Sequence, residues 1–180
     1  MDLAVSDANV LIHLAKLDQL ELLKELFSKI LISDIIYSES VTQGKLSNKK
    51  DSFILENYIQ KGLIIVKEVP NEEIKTIMNK YNIHDGESSV IALAKKNDIN
   101  YCLTNEIKVR KAIKSEGFKV VGTLGIILRA FNSGKISKKD SLSILNQIQI
   151  NFKEYRFHPK LVDKIIEEVN KENFSTNLKR

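Results

Sequence analysis

Apolar residues fall into short unbroken runs, separated by longer stretches with helical spacing. The runs are Leu3-Ala4-Val5-Ser6, Ile30-Leu31-Ile32, Leu63-Ile64-Ile65-Val66, Tyr101-Cys102-Leu103-Thr104 and Lys119-Val120-Val121. Their length and their lack of alternation predict buried strands. Between them the spacing predicts helices over residues 8–16, 17–28, 53–60, 71–81, 88–96, 106–116 and 123–132. Another begins after Ser33 and carries Ile35, Ile36, Tyr37 and Glu39. Ser33 and Asn105 stand where a side-chain oxygen accepts an orphan N–H at a helix start, and Gly62, Gly117 and Gly134 stand where helices stop. Residues 42–52 are polar and lysine-rich, which predicts a loop or a hairpin of short helices.

Strand alternates with helix as far as Gly134. That order predicts an α/β protein, a three-layer α/β/α sandwich around a central, mainly parallel sheet. Beyond Gly134 the pattern is helical only, over 138–150 and 159–172, with Leu161, Ile165, Ile166 and Val169 on one face. The expected division is a domain over 1–134 and a helical C-terminal extension over 135–180, packed on or beside it.

Composition narrows the class. The chain of 180 residues is 43% hydrophobic and 28% charged, which suits one globular domain and argues against disorder. No apolar run approaches a membrane span. Cys102, the one cysteine, lies in an apolar run and has no partner for a disulfide, as expected in a reducing compartment. The N-terminus carries Asp2 and no basic region, so no secretory leader is expected. The expectation is a soluble, cytoplasmic protein without a membrane association. The net charge of +5 fits either a lysine-rich surface or attraction to a polyanion such as nucleic acid.

Acids recur where a parallel sheet binds its ligands, beyond the carboxyl ends of the strands. Asp7 follows the first strand, Glu39 lies in the helix after the second, Asp85 and Glu87 open a later helix, and Glu106 follows the fourth strand. Singly, Asp85, Glu87 and Glu106 are explained by the positive end of a helix dipole. Together they need a cation, because two carboxylates about 5 Å apart repel by roughly 3 kcal/mol at an effective dielectric of about 20. An oxygen-rich pocket suits Mg²⁺ or Mn²⁺. His13, His84 and His158 lack a zinc-like spacing.

The segment V-S-D-A-N-V-L-I-H-L resembles the opening motif of PIN domains, a family of metal-dependent nucleases. H-D-G-E-S-S-V-I-A-L-A resembles a Gly-Glu version of their third motif, and Y-C-L-T-N-E-I-K-V-R-K-A their fourth. G-T-L-G-I-I-L-R-A and the helical tail resemble the branch grouped as domain of unknown function 3368. The resemblance spans nearly the whole chain. It implies Asp7, Glu39, Glu87 and Glu106 as catalytic metal ligands for Mg²⁺ or Mn²⁺, with Glu106 standing where aspartate is more usual. It implies accessory roles for Asn9, which would steady Asp7 or a water, and for Thr104 and Asn105, which would orient the fourth acid or the metal-bound water; Asp85 is an accessory candidate or only a helix cap. The implied activity is a metal-dependent endoribonuclease that hydrolyses RNA phosphodiesters with metal-activated water. Lys108, Arg110 and Lys111 are candidates for binding RNA, and Lys114, Lys45, Lys49 and Lys50 could extend that surface. Many PIN proteins of this kind are homodimeric toxins blocked by a small antitoxin, so both partners are expected here. The alternative is a catalytically degenerate PIN fold that binds RNA or protein. A phosphoaspartate enzyme is disfavoured, because Asn9 stands where such enzymes usually carry a second aspartate.

Overall fold

The computed structural model describes residues 2–171. The chain runs β1 (Leu3–Ser6), α1 (Ala8–Lys16), α2 (Glu21–Leu26), β2 (Lys29–Ser33), α3 (Asp34–Tyr37), a π-helical turn (Ser38–Thr42), α4 (Gln43–Leu46) and α5 (Lys50–Gln60). It continues through β3 (Ile64–Lys67), α6 (Asn71–Tyr81), α7 (Asp85–Lys96), β4 (Tyr101–Leu103), α8 (Ile107–Ser115) and β5 (Lys119–Val121). The last elements are α9 (Thr123–Asn132), α10 (Lys138–Ile150), α11 (Phe152–Tyr155) and α12 (Pro159–Lys171). The expected end of the last helix at Glu172 lies outside the described residues.

The five strands form one parallel sheet in the order β3-β2-β1-β4-β5. Ala4 pairs with Ile30 on one side and Tyr101 on the other. From β1 the chain first builds outward through β2 and β3, then crosses back to add β4 and β5. Right-handed crossovers in opposite directions put their helices on opposite faces. The result is the three-layer α/β/α arrangement. Burial on both faces explains why the strand runs are continuously apolar: Ala4, Val5, Ile30, Ile32, Cys102 and Leu103 are all completely buried.

The described residues divide into two compact units, one up to Thr123 and one from Leu124 onward. The sheet and its crossovers form the first. In the second, α10 packs against α12, with Ile144, Leu145, Ile148, Val162 and Val169 buried.

Several elements depart from the sequence-based expectation. The helix expected over 17–28 is only Glu21–Leu26, because Asp18 takes a left-handed conformation (φ 56°) and turns the chain before it. Of the loop or hairpin of short helices expected over 42–52, the hairpin is what forms, with α4 and the start of α5 on either side of Asn48 at φ 50°. The helix that Ser33 caps is α-helical for one turn. It then widens: the Gln43 N–H reaches back five residues to the Ser38 carbonyl. Asn105 is not an N-cap, a position that Glu106 takes instead.

Candidate active site

In an open parallel sheet the crevice opens where neighbouring strands send their connections opposite ways. Here that point lies between β1 and β4. Asp7 leaves the end of β1 with its N–H bonded to the Leu103 carbonyl (2.9 Å), which joins the two strand ends. Its Oδ1 accepts from the Val10 N–H (2.9 Å), so Asp7 also caps α1. The Thr104 side chain hydrogen-bonds to the Asp7 carboxylate, while Thr104 Oγ1 accepts from the Glu106 N–H (3.2 Å). Asp7 is 5% exposed. Burial pushes its pKa up to about 6, against the pull of the Thr104 and Val10 hydrogen bonds and with a further push from Glu106 and Glu87.

Glu39 sits in the π-helical turn, a distortion frequent at functional sites. Its carboxylate lies directly against Gly86: a Cβ there would stand 2.8 Å from Oε1 and 3.2 Å from Oε2. Burial raises the Glu39 pKa, as do the charges of Asp85 and Glu87, while His84 lowers it. Glu87 Oε2 accepts from the His84 N–H (3.0 Å), and Asp85 Oδ1 accepts from the Gly86 N–H (2.9 Å). Glu106, at the N-cap of α8, is exposed.

These pieces share one cleft of about 380 Å³, lined by Asp7, Asn9, Glu39, His84, Asp85, Glu87 and Glu106, with Ala8, Ile36 and Gly86 between them. Five carboxyl groups from four segments thus face one space, with His84 the one lining side chain able to carry positive charge. Among the described residues, no three of His, Cys, Asp and Glu are already grouped to hold one ion. The acids line the cleft without converging on one point. The donors are almost all oxygens, which fits Mg²⁺ or Mn²⁺ and not a thiolate-bound metal.

Not every candidate lies where expected. Asn9 lines the cleft, but the groups holding Asp7 are the Val10 N–H and Thr104. Asn105 points elsewhere: its Oδ1 accepts from the Thr123 N–H (2.9 Å), and its Nδ2 lies 3.1 Å from Thr123 Oγ1 and 3.2 Å from His13 Nδ1. The Arg110 guanidinium donates to the Thr104 carbonyl (3.0 Å), so it braces the loop before Glu106. Burial lowers its pKa. Lys108 donates to the Asn82 carbonyl, and Lys45 pairs with Glu56 (2.8 Å). Lys111 and Lys114 are exposed.

Sequence reasoning passed over two contacts. Gly122 allows close approach, since a Cβ there would lie 2.7 Å from Asn105 Oδ1. A buried Ser33–Ser89 pair joins the starts of α3 and α7, with the two hydroxyl oxygens 2.6 Å apart. Ser33 was legible only as a cap, and nothing in the local pattern singled out Ser89.

The family model DUF3368, described as a PIN domain, matches residues 3–171. The chain belongs to the PIN-domain family. The fold agrees with a solved structure, "Crystal structure of PAE2754 from Pyrobaculum aerophilum", at a TM-score of 0.51 and 15% identity, over 70% of this chain and 94% of that one. At that identity the likeness concerns fold alone. A search of curated proteins returned no match. PIN domains are generally nucleases that use divalent metals, so this PIN domain has a nuclease fold. Among its described residues no helix is long and apolar enough to cross a membrane.

Proposed function

We propose that this PIN domain is an endoribonuclease dependent on Mg²⁺ or Mn²⁺. The observation that carries the reading is the shared cleft: Asp7, Glu39, Glu87 and Glu106 line one space at the point where the sheet's connections diverge. Those four residues would hold the ion, with Asp85 and Asn9 at the same cleft. A bound divalent cation would supply Lewis acidity to water and to the scissile phosphodiester. The chain's own residues supply position. Asp7 is held by the Val10 N–H and Thr104, and Thr104 in turn receives the Glu106 N–H. No nucleophilic side chain is needed, and the products would carry 5′ phosphate and 3′ hydroxyl ends. An acidic cleft repels RNA, so the exposed Lys111 and Lys114 on α8 would offset that charge through phosphate contacts.

Resemblance to toxin-like PIN proteins extends the proposal to a cytoplasmic, homodimeric toxin restrained by a small antitoxin. A second reading, a binding module without catalysis, draws on the absence of a ready-made three-ligand group among the described residues.

The test is cleavage of a structured RNA pool with Mn²⁺, beside Asp7→Asn and an EDTA control. Discrete cuts with 5′ phosphate ends, lost in both controls, support the nuclease. Cuts that survive Asp7→Asn overturn the role given to Asp7. No cutting and no calorimetric Mn²⁺ binding would favour the non-catalytic module.

A further inference from the structure

The helical run bearing Glu39 and the helix bearing Glu87 come from distant parts of the chain, yet one buried connection joins them. Ser33 Oγ and Ser89 Oγ lie 2.6 Å apart, and each serine is at most 1% exposed. The proton order follows from their other partners. Ser89 Oγ donates to the Gly86 carbonyl (2.6 Å), so its single proton is used there. It can therefore only accept from Ser33. Ser33 Oγ, having given its proton, accepts from the Ile36 N–H (3.1 Å). The chain runs Ile36 N–H to Ser33 to Ser89 to the Gly86 carbonyl, with every hydroxyl satisfied.

Its two ends are informative. Ile36 lies three residues before Glu39 in the run that begins at α3, and Gly86 is the residue whose missing side chain leaves room for the Glu39 carboxylate. We propose that Ser33 and Ser89 are positioning residues for Glu39: their hydroxyl chain sets the start of α3 against the first turn of α7 and so fixes the Glu39 carboxylate over Gly86. In dry surroundings an unpaired hydroxyl is costly, so each serine holds the other in one rotamer. Neither serine lines the cleft. They act through Glu39 and have no contact of their own with an ion. The proposal rests on the reading of Glu39 as a metal ligand.

The experiment measures Mn²⁺ affinity by calorimetry and by electron paramagnetic resonance of free Mn²⁺, with thermal melts alongside. The variants are Ser89→Ala, Glu39→Gln and the double variant. Loss of a group that orients a ligand costs about tenfold or more in metal affinity. Ser89→Ala should show such a loss, and adding it to Glu39→Gln should weaken binding no further. Unchanged affinity in Ser89→Ala with a lower melting temperature would make the pair merely structural and overturn the proposal. So would a full additional loss in the double variant. If Ser89→Ala does not fold, Ser33→Ala is read the same way, with Ser33→Thr restoring the hydroxyl and the affinity. If the wild-type protein binds no Mn²⁺, the nuclease reading fails by itself. The metal-free crystal structure of the serine variant then decides: a displaced Glu39 carboxylate supports the positioning role, and one still seated on Gly86 overturns it.

Discussion

Asp7→Asn should make the protein more stable at neutral pH while removing the group that the proposed chemistry most needs. Asp7 is buried, and its pKa rises from 3.8 to about 6 on folding. A raised carboxyl pKa means that the folded state resists ionisation. The penalty is absent well below 3.8, grows between that value and about 6, and is complete above. Two pKa units correspond to about 3 kcal/mol near pH 7.5, against about 0.5 kcal/mol near pH 4. Asparagine keeps an oxygen for the Val10 N–H and is an equally good cap. It has one acceptor oxygen where the carboxylate has two, so the bond with Thr104 is lost at a cost of about 1 kcal/mol. The net gain is about 2 kcal/mol near pH 7.5, or about 4–8 °C in melting temperature for a chain of this size. Near pH 4 the sign reverses by about 0.5 kcal/mol. The assay is thermal unfolding by circular dichroism in EDTA at both pH values. Adding Mn²⁺ should invert the order at neutral pH, since an ion at about 100 times its Kd stabilises only the form that binds it, by about 2.7 kcal/mol. If Asp7→Asn melts at or below wild type near pH 7.5 without metal, or if the difference is the same at both pH values, the account of Asp7 as a strained buried carboxyl is wrong.

Gly86→Ala should fold but push the Glu39 carboxylate from its seat, weakening Mn²⁺ binding about tenfold by calorimetry; unchanged affinity would mean that Glu39 does not work from that position. Glu116 accepts from Lys80, Lys95 and Tyr81, and these bonds hold its pKa down to about 2. That contribution is present above its ordinary value of 4.5 and is lost as pH falls through about 2. With solvent screening at the exposed lysines, Glu116→Gln should cost about 1 kcal/mol near pH 7 and progressively less below pH 4 in urea titrations. On α8, Lys111→Ala should reduce RNA affinity and lower the salt slope by about one, measured by filter binding at several salt concentrations. Arg110→Ala, by contrast, should lower stability by about 1–2 kcal/mol through the freed Thr104 carbonyl.

Strands were the most legible part of the sequence, because a sheet covered on both faces demands continuous apolar runs, and β5 falls where its run placed it. Asn71–Tyr81 and Lys138–Ile150 were equally plain, since one-sided spacing and sharp ends leave little choice. Asp18 shows the limit: a single non-glycine residue in the left-handed region ended a pattern that looked helical from Leu17 onward. Asn105 shows another, since its composition suits a cap, yet the chain brings Thr123 and His13 to it from far along the sequence. Four of the five acids were visible at strand ends or helix starts, and Glu39 within the helix after β2. That they face one cleft follows from strand order, which local spacing does not encode. The use of Arg110 inside the fold was hidden for the same reason, because its partner is a backbone carbonyl brought near only by the turn before α8.

Ala4 pairs with Tyr101, and the Asp7 N–H bonds to Leu103. The centre of the sheet is therefore closed by a strand that leaves the ribosome long after its neighbour. At a synthesis rate of about 5–20 residues per second, some 5–20 s separate the two. Until β4 docks, Glu106 has no place beside Asp7, and the cleft lacks that one of its four lining segments. A parallel pairing of such long range is also the slow kind to form. For that interval the nascent chain, beside its own message, holds an incomplete acidic cleft.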